Sequence, residues 1–154
     1  MEFIEILKAI ILGIVEGITE WLPISSTGHL ILTEDFMPFK LSQEFVDAFF
    51  VVIQFGAILA VIIMFFNKLN FLDPGKSKEE NRNIFILWTK IAVASIPLGV
   101  LGLLFEDPIE EKLYNPVSVA LMLIIYGVAF ILVESWNIKP KITDLSQISY
   151  MTAF

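Results

Sequence analysis

The sequence predicts an all-helical integral membrane protein that crosses the bilayer several times, and three observations carry this prediction. Of the 154 residues, 56% are hydrophobic and only 18% are charged, whereas a soluble domain has about 45–50% apolar residues. The mean hydropathy is +0.78. Apolar stretches alternate along the chain with polar, turn-forming segments. A soluble core could not hide so many apolar side chains, so lipid is the expected solvent.

The N-terminal stretch, residues 1–35, predicts two helices with a break between them. The apolar run from Phe3 to Leu22 is interrupted by Glu16 and Glu20 and is followed by Pro23. This run is not a clean membrane span. We expect a re-entrant helix pair, which is tolerated at membrane depth only where protein or a water-filled cavity surrounds the irregular backbone. Broken helices of this kind hold substrate sites in membrane transporters.

Three later stretches, residues 45–66, 84–105 and 117–134, are predicted transmembrane helices. A helix rises 1.5 Å per residue, so about 20 residues cross a hydrocarbon core of ~30 Å. Pro97 predicts a kink in the second of them, because proline removes a backbone hydrogen bond. Residues 143–154 follow the last span. We expect the whole chain to form a single membrane domain.

Polar loops separate the spans and predict their orientation. Asn67–Asn83 is a predicted hydrated loop around an Asp-Pro-Gly turn, and Glu106–Pro116 is a predicted acidic loop. The segments after the first and third spans carry four and two basic residues, whereas Glu34–Glu44 and Glu106–Pro116 carry one each. By the positive-inside rule, the first pair of segments is cytoplasmic and the second pair is external.

The composition also limits the classes of function. A net charge of −7 leaves no basic patch to neutralise phosphates along a duplex, so we expect no nucleic acid partner. The chain has no cysteine, which excludes a thiol nucleophile or a disulfide framework, and it has a single histidine, His29.

Two carboxylates lie in the first predicted helix, four residues apart. At this spacing the side chains of Glu16 and Glu20 project from one face of a helix. An ionisable residue at membrane depth is costly, and it indicates a functional site unless it lies near an interface and faces water. The alternative of an interfacial, solvated pair stays open at this point.

Hydroxyl groups and the histidine come directly after the predicted break. A helix N-terminus presents unpaired N–H groups, and with hydroxyls and a glycine that permits close approach it can bind phosphate. Carboxylates beside a phosphate then require a divalent cation such as Mg²⁺ or Ca²⁺, or a proton taken up by one of them. A serine beside a carboxylate or a histidine can attack phosphorus. The pattern therefore predicts phosphoryl transfer, although each serine or threonine here could be an ordinary N-cap; the residues are Ser25, Ser26, Thr27, Gly28 and His29.

Two further features have alternative interpretations. Gln54 is the strongly polar residue of its span, and it either hydrogen-bonds into the site or reaches a neighbouring helix. Gly13 and Gly17 form a small-xxx-small pair, for which we expect helix packing.

The segment from Glu16 to Leu30, EGITEWLPISSTGHL, closely resembles the undecaprenyl-diphosphate phosphatase family of the BacA type, which is associated with bacitracin resistance in bacteria. The resemblance continues through FVVIQFGAILAV, from Phe50, and through IPLGVLGL, from Ile96. It implies dephosphorylation of undecaprenyl diphosphate to undecaprenyl phosphate, which recycles the lipid carrier for peptidoglycan and cell-wall synthesis. It also implies an inverted-repeat fold in the bacterial cell membrane with its site open to the periplasmic or outer side.

The resemblance assigns roles to residues of this chain. It implies that Glu16, Glu20, Ser26 and His29 are catalytic and that the two carboxylates hold a divalent cation, Mg²⁺ or Ca²⁺. Ser26 is the preferred nucleophile, activated by Glu20 or His29, and a phosphohistidine at His29 is the rival. We expect the remaining motif residues and the span glutamine to bind the polyprenyl diphosphate lipid; they are Ser25, Thr27, Gly28 and Gln54.

The sequence departs from the family in one respect. The family's second half carries a Pro-Gly-x-Ser-Arg-Ser-Gly motif, which has no match here. We therefore expect the chain to be the first repeat of the fold, with residues 143–154 at the start of a second, and we do not expect full activity from it alone. A homodimer that rebuilds the site stays an open alternative, as does half of a transporter for an anionic lipid or small molecule. A membrane subunit with a role in assembly only is the third alternative.

Overall fold

The fold is known from a computed structural model that describes residues 3–137, 139–140 and 142–154, with the backbone alone for Glu106, Asp107 and Glu110. Helices follow one another through these residues, and the described ranges contain no strand. The prediction of an all-helical fold is therefore confirmed. The helices are α1 (Phe3–Thr19), α2 (Ser26–Phe36), α3 (Gln43–Leu69), α4 (Lys78–Leu113), α5 (Pro116–Ser135) and, after a 3₁₀ turn at Leu145–Gln147, α6 (Tyr150–Ala153).

Within the described ranges, three helices are long and apolar enough to cross a membrane: α3, α5 and the Lys78–Phe105 part of α4. They contain the three stretches predicted as spans. Large apolar side chains lie exposed along them, for example Ile63 at 75% and Leu103 at 84%. This outward apolar surface is the arrangement expected where lipid, rather than water, is the solvent.

The predicted acidic loop from Glu106 to Pro116 is wrong. The backbone of α4 stays helical to Leu113, through Pro97 and Pro108, and only Tyr114 and Asn115 separate α4 from α5. Glutamate, lysine and leucine are good helix formers, so the charged residues here extend the helix beyond the apolar span. Asn115 then starts α5 as its N-cap, accepting a hydrogen bond from the Ser118 N–H, with Pro116 as the first residue.

The chain forms two compact units. The first holds α1, α2, α3 as far as Val61, and α5; the second holds the rest of α3, α4 as far as Glu111, and the C-terminal segment. That the two units act together as the predicted single membrane domain stays a prediction, as does the assignment of residues 143–154 to a second repeat.

In the first unit, α1 and α2 pack against each other as a helical hairpin. The Lys8 ammonium group, near the start of α1, donates to the Pro38 carbonyl at 2.5 Å and to the Glu5 carboxylate at 3.0 Å. Glu5 in turn accepts a hydrogen bond of 3.1 Å from the Lys40 N–H. These contacts join the start of α1 to the chain that leaves α2. Both ends of the hairpin therefore lie together, and the turn at residues 20–25 lies at its far end.

A small apolar core holds this hairpin on α3. It consists of Leu12, Leu30, Phe39 and Val46, each with at most 9% of its surface exposed. On its other side α2 packs on α5. Gly28 makes this close approach possible, since a Cβ built on it would lie 3.3 Å from both terminal carbons of Leu123.

The second unit contains the predicted turn at Asp73. The Gly75 N–H donates to the Asp73 carboxylate at 2.9 Å, and the Lys76 ammonium group contacts the carbonyls of Asn67 and Asn70. At the other end of this unit, Lys90 donates to the Ser146 carbonyl at 3.4 Å. The turn predicted at Asp73 is confirmed, and Lys76 completes the end of α3 by capping its carbonyls.

We predict that Gly28→Ala lowers the free energy of unfolding of the protein in detergent by about 1–3 kcal/mol, because the new methyl group would lie 3.3 Å from the terminal carbons of Leu123 and from the Ser25 hydroxyl, which must then shift. Leu123→Ala in the same chain should restore part of this loss, which thermal unfolding followed by circular dichroism would measure.

Gly127→Ala on α5 is the matched control, because a Cβ there meets no atom within 4 Å. If Gly28→Ala lowers the free energy of unfolding equally in the wild-type chain and in the Leu123→Ala chain, residues 28 and 123 are not energetically coupled.

Candidate active site

The site begins with a carboxylate buried in an apolar helix. The buried residues of α1 are Glu5, Leu12, Glu16 and Thr19, which share one face, whereas five of its six isoleucines are exposed. Glu16 is 1% exposed, and its two oxygens accept no hydrogen bond from a donor among the described residues. The carboxyl of Glu20 lies close enough to interact with it. Glu20 is exposed and can be solvated, whereas Glu16 is buried beside a like charge, so Glu16 is the carboxylate that a cation or a proton would stabilise.

Glu20 lies one residue past the end of α1 and pairs with the predicted nucleophile. The Ser26 hydroxyl donates to Glu20 Oε2 at 2.5 Å, and Ser26 is 9% exposed. Glu20 and Ser26 lie six positions apart in the sequence, and the turn between α1 and α2 brings their side chains together. A carboxylate in contact with a serine hydroxyl is the geometry of a general base beside its nucleophile.

The turn that makes this contact has an unusual backbone. Pro23 lacks an N–H, and the Ile24 N–H donates across it to the Leu22 carbonyl at 2.8 Å. Ser25 then adopts φ 65° and ψ 96°, a backbone conformation that residues with a Cβ rarely adopt. The Ser25 hydroxyl accepts a 3.2 Å hydrogen bond from the Gly28 N–H and is the N-cap of α2. Of the two interpretations of Ser25, the N-cap is confirmed, and lipid binding by Ser25 stays a prediction.

His29 lies one turn into α2, with its Nδ1 2.8 Å from the Ser25 carbonyl oxygen. Because a carbonyl can only accept, Nδ1 must carry the hydrogen in this contact. The other ring nitrogen, Nε2, then has its lone pair available in the neutral ring. Ser26 thus has a carboxylate, Glu20, as its hydrogen-bond partner. The ring of His29 is oriented by a backbone carbonyl instead.

Two neighbouring helices complete the surroundings. From α3, the Gln54 amide donates to the Thr27 hydroxyl oxygen at 3.3 Å. From α5, both terminal carbons of Leu123 lie 3.3 Å from the position that a Cβ on Gly28 would occupy. The predicted residues Glu16, Glu20, Ser26, Thr27 and Gln54 thus come together in the first unit. Leu123 is not predicted from the sequence, because it is one leucine among many in an apolar span.

The carboxylates fit a divalent cation with oxygen ligands. Glu16 supplies two buried oxygens without a partner, and among the described residues neither Glu16 nor Glu20 forms an ion pair. The described residues contain no group of three or more His, Cys, Asp or Glu that could hold a metal. A cation held by Glu16 and Glu20 would therefore complete its coordination with water and phosphate oxygens, as Mg²⁺ usually does.

Comparison with known proteins identifies the family of this chain. A family described as "Bacitracin resistance protein BacA" matches residues 9–154, which is nearly the whole chain. The chain belongs to the BacA family. Together with its three membrane-length helices, this makes it a multi-pass membrane protein. No solved structure matches the fold.

Curated relatives in the BacA family carry the name undecaprenyl-diphosphatase. One from Enterococcus faecalis (strain ATCC 700802 / V583) is 52% identical over 155 residues, which are 99% of this chain and 56% of the relative. One from Streptococcus pneumoniae (strain Hungary19A-6) is 55% identical over 160 residues, covering 100% of this chain and 56% of the relative. Undecaprenyl-diphosphatase 1 of Clostridioides difficile (strain 630) is 50% identical, with 97% and 55% covered. The chain spans just over half the length of these relatives.

We predict opposite effects for two substitutions of Ser25 on the free energy of unfolding. Ser25→Gly should raise it by about 1 kcal/mol, because positive φ costs a side-chain-bearing residue roughly 1–2 kcal/mol and glycine at an N-cap loses only a few tenths. Ser25→Ala should lower it by about 1 kcal/mol, since it loses the cap and keeps the strain. Denaturant unfolding would measure both.

Ser149 is the matched control, because it caps α6 at an ordinary φ of −79°. Ser149→Gly has no strain to relieve and should not stabilise the protein. If Ser25→Gly and Ser25→Ala shift stability in the same direction, the backbone at residue 25 is not strained.

Proposed function

We propose that this chain carries the carboxylate and serine groups of a phosphatase that hydrolyses undecaprenyl diphosphate to undecaprenyl phosphate and inorganic phosphate. The observation that carries the proposal is the 2.5 Å contact between the Ser26 hydroxyl and Glu20, beside a second carboxylate buried at Glu16. The name of the relatives, undecaprenyl-diphosphatase, supports this substrate and favours hydrolysis over transport.

The geometry supports a two-step transfer. Ser26 Oγ attacks the terminal phosphorus while its proton passes to Glu20, and the bond to the bridging oxygen breaks, releasing undecaprenyl phosphate. Water then attacks the phosphoserine, and inorganic phosphate leaves. The N–H groups of Ser26 and Thr27, at the start of α2, have no carbonyl partner within the helix and can bind phosphate oxygens. His29 Nε2 is the rival nucleophile.

A divalent cation, Mg²⁺ or Ca²⁺, held by Glu16 and Glu20 would neutralise the diphosphate and polarise its oxygens. Glu16 is the better placed of the two to hold it, because both of its oxygens lack a hydrogen-bond partner, whereas one oxygen of Glu20 accepts from Ser26. Glu16 would therefore bind the cation, and Glu20 would accept the proton of Ser26.

The structure supports a re-entrant hairpin on the outer side of a bacterial cell membrane. The start of α1 and the chain after α2 lie together, so α1 and α2 enter and leave on one side. At 1.5 Å per residue, the turn lies about 18 Å from Lys8 along α1, well inside a core of ~30 Å. The segment after α2 carries little positive charge, which favours the outer side.

We predict that Glu20→Gln and Ser26→Ala each reduce phosphate release from undecaprenyl diphosphate about 10²–10⁴-fold, because each removes one partner of the proton transfer. The assay compares this chain with the chain extended by the part of the relatives that it does not cover. Chelation of Mg²⁺ and Ca²⁺ should abolish release as well.

Glu44→Gln is the control for loss of a carboxylate, since Glu44 is exposed at the start of α3. An extended protein that is folded and binds the lipid but releases no phosphate would contradict the phosphatase and support a transporter.

A second prediction identifies the nucleophile. Protein quenched during turnover of substrate labelled in its terminal phosphate should carry the label as a phosphoserine at Ser26, which is stable in acid and lost in alkali. Mass spectrometry of the α2 peptide would locate the label. An adduct that is lost in acid and lies on His29 would replace Ser26 with the histidine as nucleophile.

A further inference from the structure

The hydroxyl of Thr27, the residue after the candidate nucleophile, is bonded on one side only. Its oxygen accepts a 3.3 Å hydrogen bond from the Gln54 amide, and among the described residues none accepts a hydrogen bond from the hydroxyl. A hydroxyl has one donor hydrogen and two acceptor lone pairs. The contact with Gln54 therefore occupies a lone pair of Thr27 and leaves its hydrogen without a partner on the described part of the chain.

Two other threonines of the first unit show the usual arrangement instead. Thr19 donates to the Val15 carbonyl at 2.7 Å, and Thr33 donates to the His29 carbonyl at 2.6 Å, each four residues earlier in its own helix. Such a bond uses the hydroxyl hydrogen within the helix. Thr27 lies in the first turn of α2, and the residue four positions earlier precedes the helix. Its hydrogen is therefore available to a ligand.

Gln54 lies on the face of α3 that packs on the hairpin of α1 and α2. Val46 belongs to the apolar core, Phe50 packs against that core, and Ala57 is buried. Because Gln54 follows Phe50 by four residues and precedes Ala57 by three, its side chain leaves α3 on this same face. The packing of the face fixes the position of the amide, and with it the direction from which the amide reaches Thr27.

We propose that Gln54 is a positioning residue that turns the Thr27 hydroxyl hydrogen toward an oxygen of the terminal phosphate. The inference rests on the proposed function, which places that phosphate beside Ser26 at the start of α2. An amide N–H can only donate, so it holds the Thr27 oxygen and keeps the hydroxyl hydrogen pointing away from Gln54. A donor oriented in advance stabilises charge in the transition state without reorganising during the reaction.

The test asks whether Gln54 acts through the Thr27 hydroxyl, on the protein extended by the part of the relatives that this chain does not cover. Gln54→Met removes the donor and keeps the length of the side chain. It should lower kcat/KM for undecaprenyl diphosphate about tenfold. It should lower kcat/KM about tenfold again in the Thr27→Ser chain, which keeps the hydroxyl, but less than twofold in the Thr27→Val chain, which lacks it.

Thr33→Val is the matched control, because it removes a hydroxyl of α2 whose hydrogen is already bonded to a backbone carbonyl. It should change kcat/KM less than twofold. A tenfold loss for Gln54→Met in the Thr27→Val chain would show that Gln54 contacts the substrate itself or only packs the helices, and it would overturn the proposal. An unchanged kcat/KM in the Gln54→Met chain would overturn it as well.

A second measurement does not depend on turnover. A methylene-bridged analogue of undecaprenyl diphosphate, in which carbon replaces the bridging oxygen, is not hydrolysed, and titration calorimetry gives its Kd. Gln54→Met should raise this Kd about fivefold in the unmutated and Thr27→Ser chains and less than twofold in the Thr27→Val chain. Equal increases in all three would overturn the proposal. Coupling between residues 27 and 54 in a protein that releases no phosphate would refute the phosphatase and keep Gln54 as a positioning residue of a phosphate site.

Discussion

The first unit depends on one constraint: α1 turns a polar stripe inward in a protein whose outer surface is apolar. A carboxylate facing hydrocarbon costs several kcal/mol, so Glu5 and Glu16 have to be covered by protein. Lys8 and the Lys40 N–H satisfy Glu5 at one end of the stripe. At the other end, Glu16 keeps two buried oxygens without a donor. The fold thus satisfies the Glu5 carboxylate with hydrogen bonds and leaves the Glu16 carboxylate without a donor among the described residues.

Covering the stripe also explains the hairpin. To bring α2 back along α1, the chain reverses within a few residues, and it does so with Pro23, which cannot continue the helix, and with Ser25 at positive φ. The strain at Ser25 has a direct consequence, because the reversal aims the first turn of α2 at the end of α1 and places the Ser26 hydroxyl on Glu20. Strained backbone at a functional site is persistent only where its surroundings fix it. Here Gly28 and Leu123 hold α2 in place.

The proposed substrate, a polyprenyl diphosphate, is itself divided into a highly charged head and a long apolar chain. Under the proposed function, the carboxylates, the hydroxyls and the N–H groups of α2 would hold the head. Glu20 and Ser26 lie on either side of the turn between α1 and α2, and the turn brings the carboxylate and the hydroxyl into contact.

The sequence by itself determined the membrane character, the three spans, the broken N-terminal helix and the motif from Glu16 to His29, because these depend on composition, periodicity and local backbone preference. The end of α4 predicted from the sequence is wrong, because the charged residues that follow the apolar span are good helix formers and continue the helix to Leu113. Only the tertiary structure decided that Glu20 contacts Ser26 while His29 contacts a carbonyl, that Glu16 is without a donor, and that Leu123 closes on Gly28. These contacts join residues from different helices, and their partners are chosen by packing, which no local pattern in the sequence encodes.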